Sequence, residues 1–198
     1  MSESDRRSRS RERRLERIYE AAVELFVERG FDNTTMEQIA SRADFARATV
    51  FNYFPKKTAF LDMWTAKRRA RAMSALAQEH ADDLPLQQQL GRYLTEMARI
   101  SEETRDETRA LLSATLQQTN FLAHPALVDE MRVLIARSAD HHNDADERRT
   151  EHAALLIATG YFAVLSRWIA EDDEPFELEP ALLDILDIAL NGVSSGRS

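Results

Sequence analysis

The sequence predicts an all-α fold, and three observations support that class. Only 5 Gly and 5 Pro interrupt the 198 residues, so long helices with few breaks are expected. Apolar residues recur at helical spacing near the N-terminus, at Leu15, Ile18, Ala22 and Leu25. No segment shows the strict apolar–polar alternation of a half-buried strand. The expected architecture is an N-terminal three-helix domain followed by a C-terminal helical domain.

Caps and breaks set the expected boundaries of the first helices. Gly30 is placed to end the first helix, and Thr34 with Glu37 has the spacing of a capping box for the second. Pro55 ends a short third helix over 46–53. The later helices are predicted over 57–79, 85–103, 106–120, 124–140, 146–172 and 178–191. The domains predicted from these breaks are 12–56 and 57–198.

Charge is divided unevenly along the chain. Residues 1–71 hold 16 basic and 11 acidic side chains, a net +5, whereas residues 72–198 hold 10 and 23, a net −13. This asymmetry is typical of a protein that meets phosphates at one end. Residues 1–11 lack apolar content and are predicted to be a disordered basic arm. Its arginines either touch DNA or simply keep the chain soluble.

Composition excludes several classes of site. The absence of Cys rules out disulfides and thiolate metal sites and favours a reducing cytoplasm. The most apolar run, Ala153 to Ile169, is interrupted by polar residues and is shorter than the ~20 residues of a membrane helix, so no membrane association is expected. No motif of a nucleophile, paired carboxylates or a phosphate loop indicates an enzyme. No metal and no cofactor is expected.

The first three helices have the organisation of a helix-turn-helix. In such a motif the second helix braces across the DNA backbone and the third presents side chains to base edges. The third helix carries Arg47, Thr49 and Asn52 among apolar residues. Arg pairs with guanine, Asn with adenine, and the Thr methyl meets a thymine methyl. A solvated helix face is the plainer alternative for the same residues.

The stretch from Thr34 to Leu61, TTMEQIASRADFARATVFNYFPKKTAFL, resembles the helix-turn-helix signature of the tetracycline-repressor (TetR) family. Ile39-Ala40 matches an apolar–small pair of that signature, and Thr49, Tyr53, Phe54, Pro55 and Lys57 fall in register. The resemblance implies that Arg47, Thr49 and Asn52 face bases and that Thr35, Tyr53 and Lys57 hold phosphates. For Tyr53, a place in the core is an equal alternative.

Four positions depart from the family pattern. Asp44 stands where Gly is usual in the turn, and Asp tolerates a left-handed backbone better than most residues. Ala46 replaces a capping residue, so the third helix is either poorly capped or capped by Asp44 from further back. Phe51 replaces a common Tyr and loses its hydroxyl, and Thr58 replaces a frequent Glu. The changes at Ala46 and Phe51 keep open an alternative, a helical ligand-binding or interaction module with weakened DNA binding.

The resemblance implies a ligand pocket and a dimer interface in the C-terminal helices. The helix over 146–172 is apolar nearly all round and the helix over 178–191 has a wide apolar face, so a homodimer is expected to cover them. The interface candidates are Phe162, Leu165, Ile169, Leu182 and Leu186. Candidates for the pocket, each of which is alternatively plain core, are Tyr93, Met97, Leu112, Leu116, Phe121, Tyr161 and Trp168.

The function expected from these features is sequence-specific binding of a double-stranded DNA operator. The resemblance further implies a repressor that a hydrophobic or aromatic small-molecule effector releases from a palindromic site. The partners expected are therefore DNA, that effector and a second copy of the chain.

Overall fold

The computed structural model describes residues 3–78, 84–118, 125–137, 144–171 and 176–191. Within these stretches the chain forms nine helices and no strand, which confirms the all-α class. The helices are α1 (Glu3–Arg29), α2 (Met36–Ala43), α3 (Arg47–Tyr53), α4 (Thr58–Gln78), α5 (Leu86–Glu103), α6 (Arg105–Gln118), α7 (Pro125–Arg137), α8 (Asp144–Ala170) and α9 (Leu178–Asn191).

The basic arm predicted to be disordered over residues 1–11 is helical from Glu3 onward, where α1 begins. This segment contains no Gly or Pro, and Arg, Ser and Glu are all compatible with a helix. Because extension of an existing helix adds one hydrogen bond per residue, the packed part of α1 propagates toward the N-terminus. Ser8 Oγ donates to Glu12 Oε1 at 3.2 Å across one turn of this extension.

The end of α1 follows the sequence prediction, but the start of α2 does not. Gly30 has φ +81° and its N–H donates to the Phe26 carbonyl at 2.9 Å, which ends α1. The predicted capping box of Thr34 and Glu37 is wrong by one residue, since Thr35 is the N-cap and Gln38 its partner. Thr34 is buried, and its Oγ1 donates to carbonyls at the end of α1. Because its hydroxyl makes these hydrogen bonds, Thr34 does not cap α2.

The described helices cluster into two compact units that are not continuous in sequence. Unit 1 comprises Met1–Thr65 and Asp106–Gln118, and unit 2 comprises Ala66–Arg105 and Thr119–Ser198. The domain boundary expected from the chain order lay after residue 56. The structure differs because the start of α4 and most of α6 contribute to the core of unit 1.

Aromatic rings from separate segments build the core of unit 1. Phe26 of α1 lies 5.0 Å from Phe31 and 5.9 Å from Phe60 between ring centroids. Phe54, which follows α3, stacks on Phe60 of α4 at 3.9 Å. Phe26 and Phe60 are fully buried, and such aromatic contacts add to the free energy gained by burial. The ring cluster fixes the ends of α1 and α3 and the start of α4.

Unit 2 is built around α8, which packs on α7 and α9. Its stretch Glu147–Ala170 is long and apolar enough to cross a membrane by those two criteria, so the expectation that it is too short was wrong. Of the 18-residue window that meets these criteria, 44% is buried within the chain. A Cβ at Gly160 would lie 2.4 Å from Ile185 Cγ2, so glycine at this position permits the close approach of α8 and α9.

Candidate nucleic-acid interface

The loop between α1 and α2 is closed by a lysine from beyond α3. Lys57 Nζ donates to the carbonyls of Phe31 at 2.6 Å and Thr34 at 3.0 Å, with Asp32 at 3.4 Å. It also lies 4.3 Å from the centroid of the Phe31 ring. Burial lowers the pKa of Lys57, and the Asp32 carboxylate opposes that shift. The ammonium therefore holds this loop in the free protein, and the phosphate contact expected of Lys57 stays a prediction.

The turn between α2 and α3 depends on a left-handed residue. Asp44 has φ 59° and ψ 48°, and its N–H donates to the carbonyls of Ala40 and Ser41. The conformation is the one expected where the family pattern has Gly, and Asp adopts it more readily than most residues. Arg17 of α1 binds the Asp44 carboxylate at 3.3 Å and lies 5.2 Å from the Phe45 ring centroid. One arginine of α1 thus contacts two of the three residues between α2 and α3.

The second helix is also fastened to α1. Arg42 donates to both oxygens of Glu28, at 2.8 and 2.9 Å, and to Glu24 at 3.1 Å. The hydrogen bonds from Arg42 lower the pKa of Glu28 and raise that of Arg42. Paired donors to one carboxylate fix orientation as well as distance. Because α2 is held in this way, α3 is carried on a braced support.

The short third helix has one buried side and one exposed side. Val50 is fully buried, whereas Arg47 and Asn52 are exposed and Thr49 is half-buried. Ala46 is the N-cap and makes no side-chain capping hydrogen bond. Of the two alternatives for this cap, the structure shows the poorly capped helix, since the Asp44 carboxylate is paired with Arg17. The exposed side presents the three residues predicted to face bases.

Arg47 is held in place before any DNA is bound. Its guanidinium binds Glu37 of α2 at 2.9 Å and lies over the Phe51 ring at 5.1 Å from the centroid. Both ends of the ion pair are more than half exposed, so the pair is worth about 0–1 kcal/mol and breaks at little cost. Phe51 has no hydroxyl for a phosphate, but its ring supports the arginine that the sequence predicts to read a base.

Thr35 and Tyr53, which the sequence predicts to bind DNA phosphates, lie at helix ends in unit 1. Thr35 is exposed, but its Oγ1 accepts the Gln38 N–H at 3.2 Å as the cap of α2. Tyr53 is half-buried at the end of α3, and Arg11 of α1 lies 5.9 Å from its ring centroid. Arg47, Thr49, Asn52 and Tyr53 thus lie on α3, and Thr35 lies directly before α2, all in unit 1.

The candidate pocket residues are divided between the two units. Four of them are buried in unit 2: Tyr93, Met97, Tyr161 and Trp168. The Cζ atom of Arg105 lies 5.0 Å from the centroid of the Trp168 ring. Leu112 is buried and Leu116 half-buried in unit 1, and Phe121 lies outside the described residues.

The candidate interface residues Phe162, Leu165, Ile169, Leu182 and Leu186 are all buried within a single chain. The exposed large apolar residues on α8 and α9 are instead Leu155, Leu156 and Ile188.

Sequence reasoning missed a polar cluster in unit 2. Tyr93 donates its hydroxyl to Glu130 Oε2 at 2.9 Å, and Arg69 Nε binds Glu130 Oε1 at 2.9 Å. Burial, followed by the nearby Glu130 carboxylate, raises the pKa of the Tyr93 phenol well above its usual range, so it remains a neutral donor. These residues come from α4, α5 and α7, and no local motif joins them. Only packing brings them together.

Removing the Lys57 ammonium tests its structural role. In Lys57→Met the apolar stem is kept and three loop carbonyls lose a charged donor. The free energy of unfolding should fall by about 1–3 kcal/mol, measured by urea denaturation. The matched control is Lys56→Met, which removes the same charge from an exposed neighbour and should change stability by less than about 0.5 kcal/mol. Unchanged stability in Lys57→Met, together with a salt dependence of DNA binding that is shallower by about one phosphate, would contradict the structural role and support the phosphate contact.

Comparison with known proteins agrees with this geometry. Residues 18–62 match the model of the family described as "Bacterial regulatory proteins, tetR family". The HTH-type transcriptional activator FasR of Mycolicibacterium smegmatis is 22% identical over 203 residues, covering 93% of this chain and 84% of that protein. The HTH-type transcriptional regulator YvkB of Bacillus subtilis is 32% identical over 66 residues, covering 33% of this chain and 35% of that protein.

Solved structures share the fold over almost the whole chain. Thermus thermophilus FadR, a TetR-family transcriptional repressor in complex with lauroyl-CoA, is 26% identical with a TM-score of 0.66 and covers 93% of this chain and 97% of its own. A TetR regulator from Rhodococcus sp. RHA1 is 20% identical with a TM-score of 0.69 and covers 91% and 97%. The relatives are transcriptional regulators, which supports the expectation that the chain is not an enzyme. Residues 18–62 thus carry a helix-turn-helix domain of the tetR type, and over nearly its whole length the chain is similar to TetR-family DNA-binding transcriptional regulators.

Proposed function

We propose that the protein is a homodimeric repressor that binds a near-palindromic operator and is released by a hydrophobic small molecule. The observation that carries this proposal is the exposed side of α3, where Arg47, Thr49 and Asn52 stand on a helix braced by α1 and α2. Repression is favoured over activation because FadR, described as a repressor, shares the fold over 97% of its chain. FasR is described as an activator, and a reporter assay with the operator distinguishes repression from activation.

The arrangement of α3 also favours retained DNA binding over a module with weakened DNA binding. The Phe51 ring supports Arg47, and Lys57 supports the loop that leads into α2. Phe51, which departs from the family pattern, and Lys57, which keeps it, thus both help to position α3. Base edges in the major groove are open to such a helix.

Replacing the exposed side chains of α3 tests the DNA assignment. Arg47→Ala and Asn52→Ala should each reduce the discrimination between operator and random duplex by about 1–3 kcal/mol, because each removes a base contact. Binding is measured by mobility shift with a duplex selected from a random pool by the wild-type protein. Arg132→Ala is the control, since it removes an exposed arginine from α7 in unit 2. Equal weakening on operator and random DNA would reassign Arg47 and Asn52 to phosphate contacts.

The proposed effector site lies in unit 2, among the buried Tyr93, Met97, Tyr161 and Trp168. Aromatic and thioether side chains there suit an acyl chain or an aromatic group. The cluster of Arg69, Glu130 and Tyr93 adds charged and polar groups for one end of such a ligand. A fatty acyl thioester is the first candidate, because FadR is described in complex with lauroyl-CoA.

Tryptophan fluorescence can locate this ligand because the chain has 2 Trp. Trp64 belongs to unit 1 and Trp168 to unit 2. Titration with lauroyl-CoA should quench Trp64→Phe as it does the wild type, and should leave the emission of Trp168→Phe unchanged. The same ligand should lower operator affinity, and the operator must lower ligand affinity by the same factor. Lauroyl-CoA that binds equally well with and without operator would not be an effector of this protein.

The proposed dimer uses the exposed apolar residues of α8 and α9. Leu155, Leu156 and Ile188 are 41%, 59% and 49% exposed, so they are available to a partner. The five residues first proposed for the interface are buried within the chain, and changing them would test folding rather than assembly. A two-fold pairing presents the same patch from both chains. It also places two α3 helices at major grooves about 34–36 Å apart or a multiple of that distance.

Leu156→Glu tests this interface without entering the core. The charge should break the pairing, so the variant should sediment as a monomer at micromolar concentration while the wild type sediments as a dimer. Its operator affinity should fall by at least tenfold, because one half-site binds weakly. Val133→Glu on α7, at a similarly exposed position of 43%, should remain dimeric. A wild-type monomer that binds a palindromic duplex tightly would contradict the dimer.

A further inference from the structure

The N-terminal part of α1 carries a row of arginines on one side of the helix. Arg7, Arg11, Arg14 and Arg17 are spaced four, three and three residues apart, so they share one face. All four are exposed. From Arg7 to Arg17 the row extends about 15 Å along the helix axis, at ~1.5 Å per residue. We call these four residues the arginine row.

Between residues 5 and 17 the acidic side chains lie on the opposite side of the helix. Asp5, Glu12 and Glu16 are spaced seven and four residues apart, about half a turn from the arginine row. The remaining arginines, Arg6, Arg9 and Arg13, line one surface hollow together with Glu12. Between residues 5 and 17 charge is thus segregated on α1, since the stripe of Arg7, Arg11 and Arg14 contains no carboxylate, whereas the rest of the surface mixes arginines with carboxylates.

Two contacts show where the arginine row faces. Arg17 binds Asp44 and lies over Phe45, both in the turn that precedes α3. Arg11 lies over the ring of Tyr53, the last residue of α3. The row therefore runs along the side of α1 that meets the turn and α3. Because α1 continues as a helix to Glu3, Arg14 and Arg7 have fixed positions on this same side.

We infer that the arginine row is a second DNA-binding surface, in which Arg7, Arg11 and Arg14 bind the phosphate backbone beside the base pairs that α3 contacts, while Arg17 stays on Asp44. From Arg7 to Arg14 the row extends about 10 Å, which corresponds to about three phosphates of one strand at ~3.4 Å of duplex axis each. Guanidinium groups bind phosphates well because their donors match paired oxygens. A helical row holds these donors in a fixed register, whereas a disordered arm would lose conformational entropy on binding. The inference rests on the proposed operator binding.

The experiment compares two triple variants with equal changes in charge. Arg7→Ala/Arg11→Ala/Arg14→Ala removes most of the row, and Arg6→Ala/Arg9→Ala/Arg13→Ala removes three arginines from the other face. Alanine preserves the helix in both, which circular dichroism verifies. Operator affinity is measured between 50 and 300 mM salt. The slope of log K against log salt should fall by about 0.9 for each lost phosphate contact in the row variant, and remain close to wild type in the other.

A double variant keeps the Arg11–Tyr53 contact in place. Arg7→Ala/Arg14→Ala should reduce the slope by about 1.8 and abolish hydroxyl-radical protection of the backbone flanking the half-site. Equal slopes for the two triple variants would overturn the inference, as would flanking protection that survives in the row variant. Loss of binding to vesicles of anionic phospholipid with an unchanged operator slope would also overturn it and assign the row to a membrane. A wild type that binds no selected duplex would instead overturn the proposed operator binding itself.

Discussion

The left-handed backbone at Asp44 is the constraint on which the DNA-reading part of the structure depends. It allows α2 to end and α3 to begin within three residues, because its N–H closes the last turn of α2. An Asp in this conformation costs more than Gly would, and the ion pair with Arg17 helps to hold it. If this residue relaxed to an extended conformation, α3 would lose its angle to α2. The braces at Arg42 and Lys57 would then support a helix with no defined direction.

Positive charge in unit 1 serves two purposes that the sequence does not distinguish. Arg17, Arg42 and Lys57 are committed to carboxylates or carbonyls of the unit itself. Such contacts orient the helices before DNA arrives, and preorganisation reduces the entropy lost on binding. Arg47 stands between these roles, since its exposed pair with Glu37 is weak enough to be exchanged for a base. The free protein thus holds this arginine near its proposed reading position.

In unit 2 the apolar sequence is distributed between an internal core and a small exposed patch. The apolar residues of α8 and α9 mostly face α5, α7 and each other, and the glycine at 160 allows the two helices to approach closely. What remains exposed, Leu155, Leu156 and Ile188, is what a partner can cover. Inside, the Arg69–Glu130–Tyr93 cluster places charge among apolar residues, where desolvation makes electrostatic contacts strong.

From sequence alone one predicts the helical class, the helix positions to within a few residues, and the exposure of Arg47 and Asn52 on α3. These features depend on local periodicity, on caps and on breakers such as Gly30 and Pro55. Only the tertiary packing determines which side chains find their partners within the chain. Thr34 donates to a carbonyl of α1 and does not cap α2. Lys57 binds a loop 23 to 26 residues earlier in the chain. Phe162, Leu165 and Leu186 are buried within the chain. The physical reason is that a polar or apolar side chain takes the partner that packing places nearest, and sequence spacing does not encode contacts between distant helices.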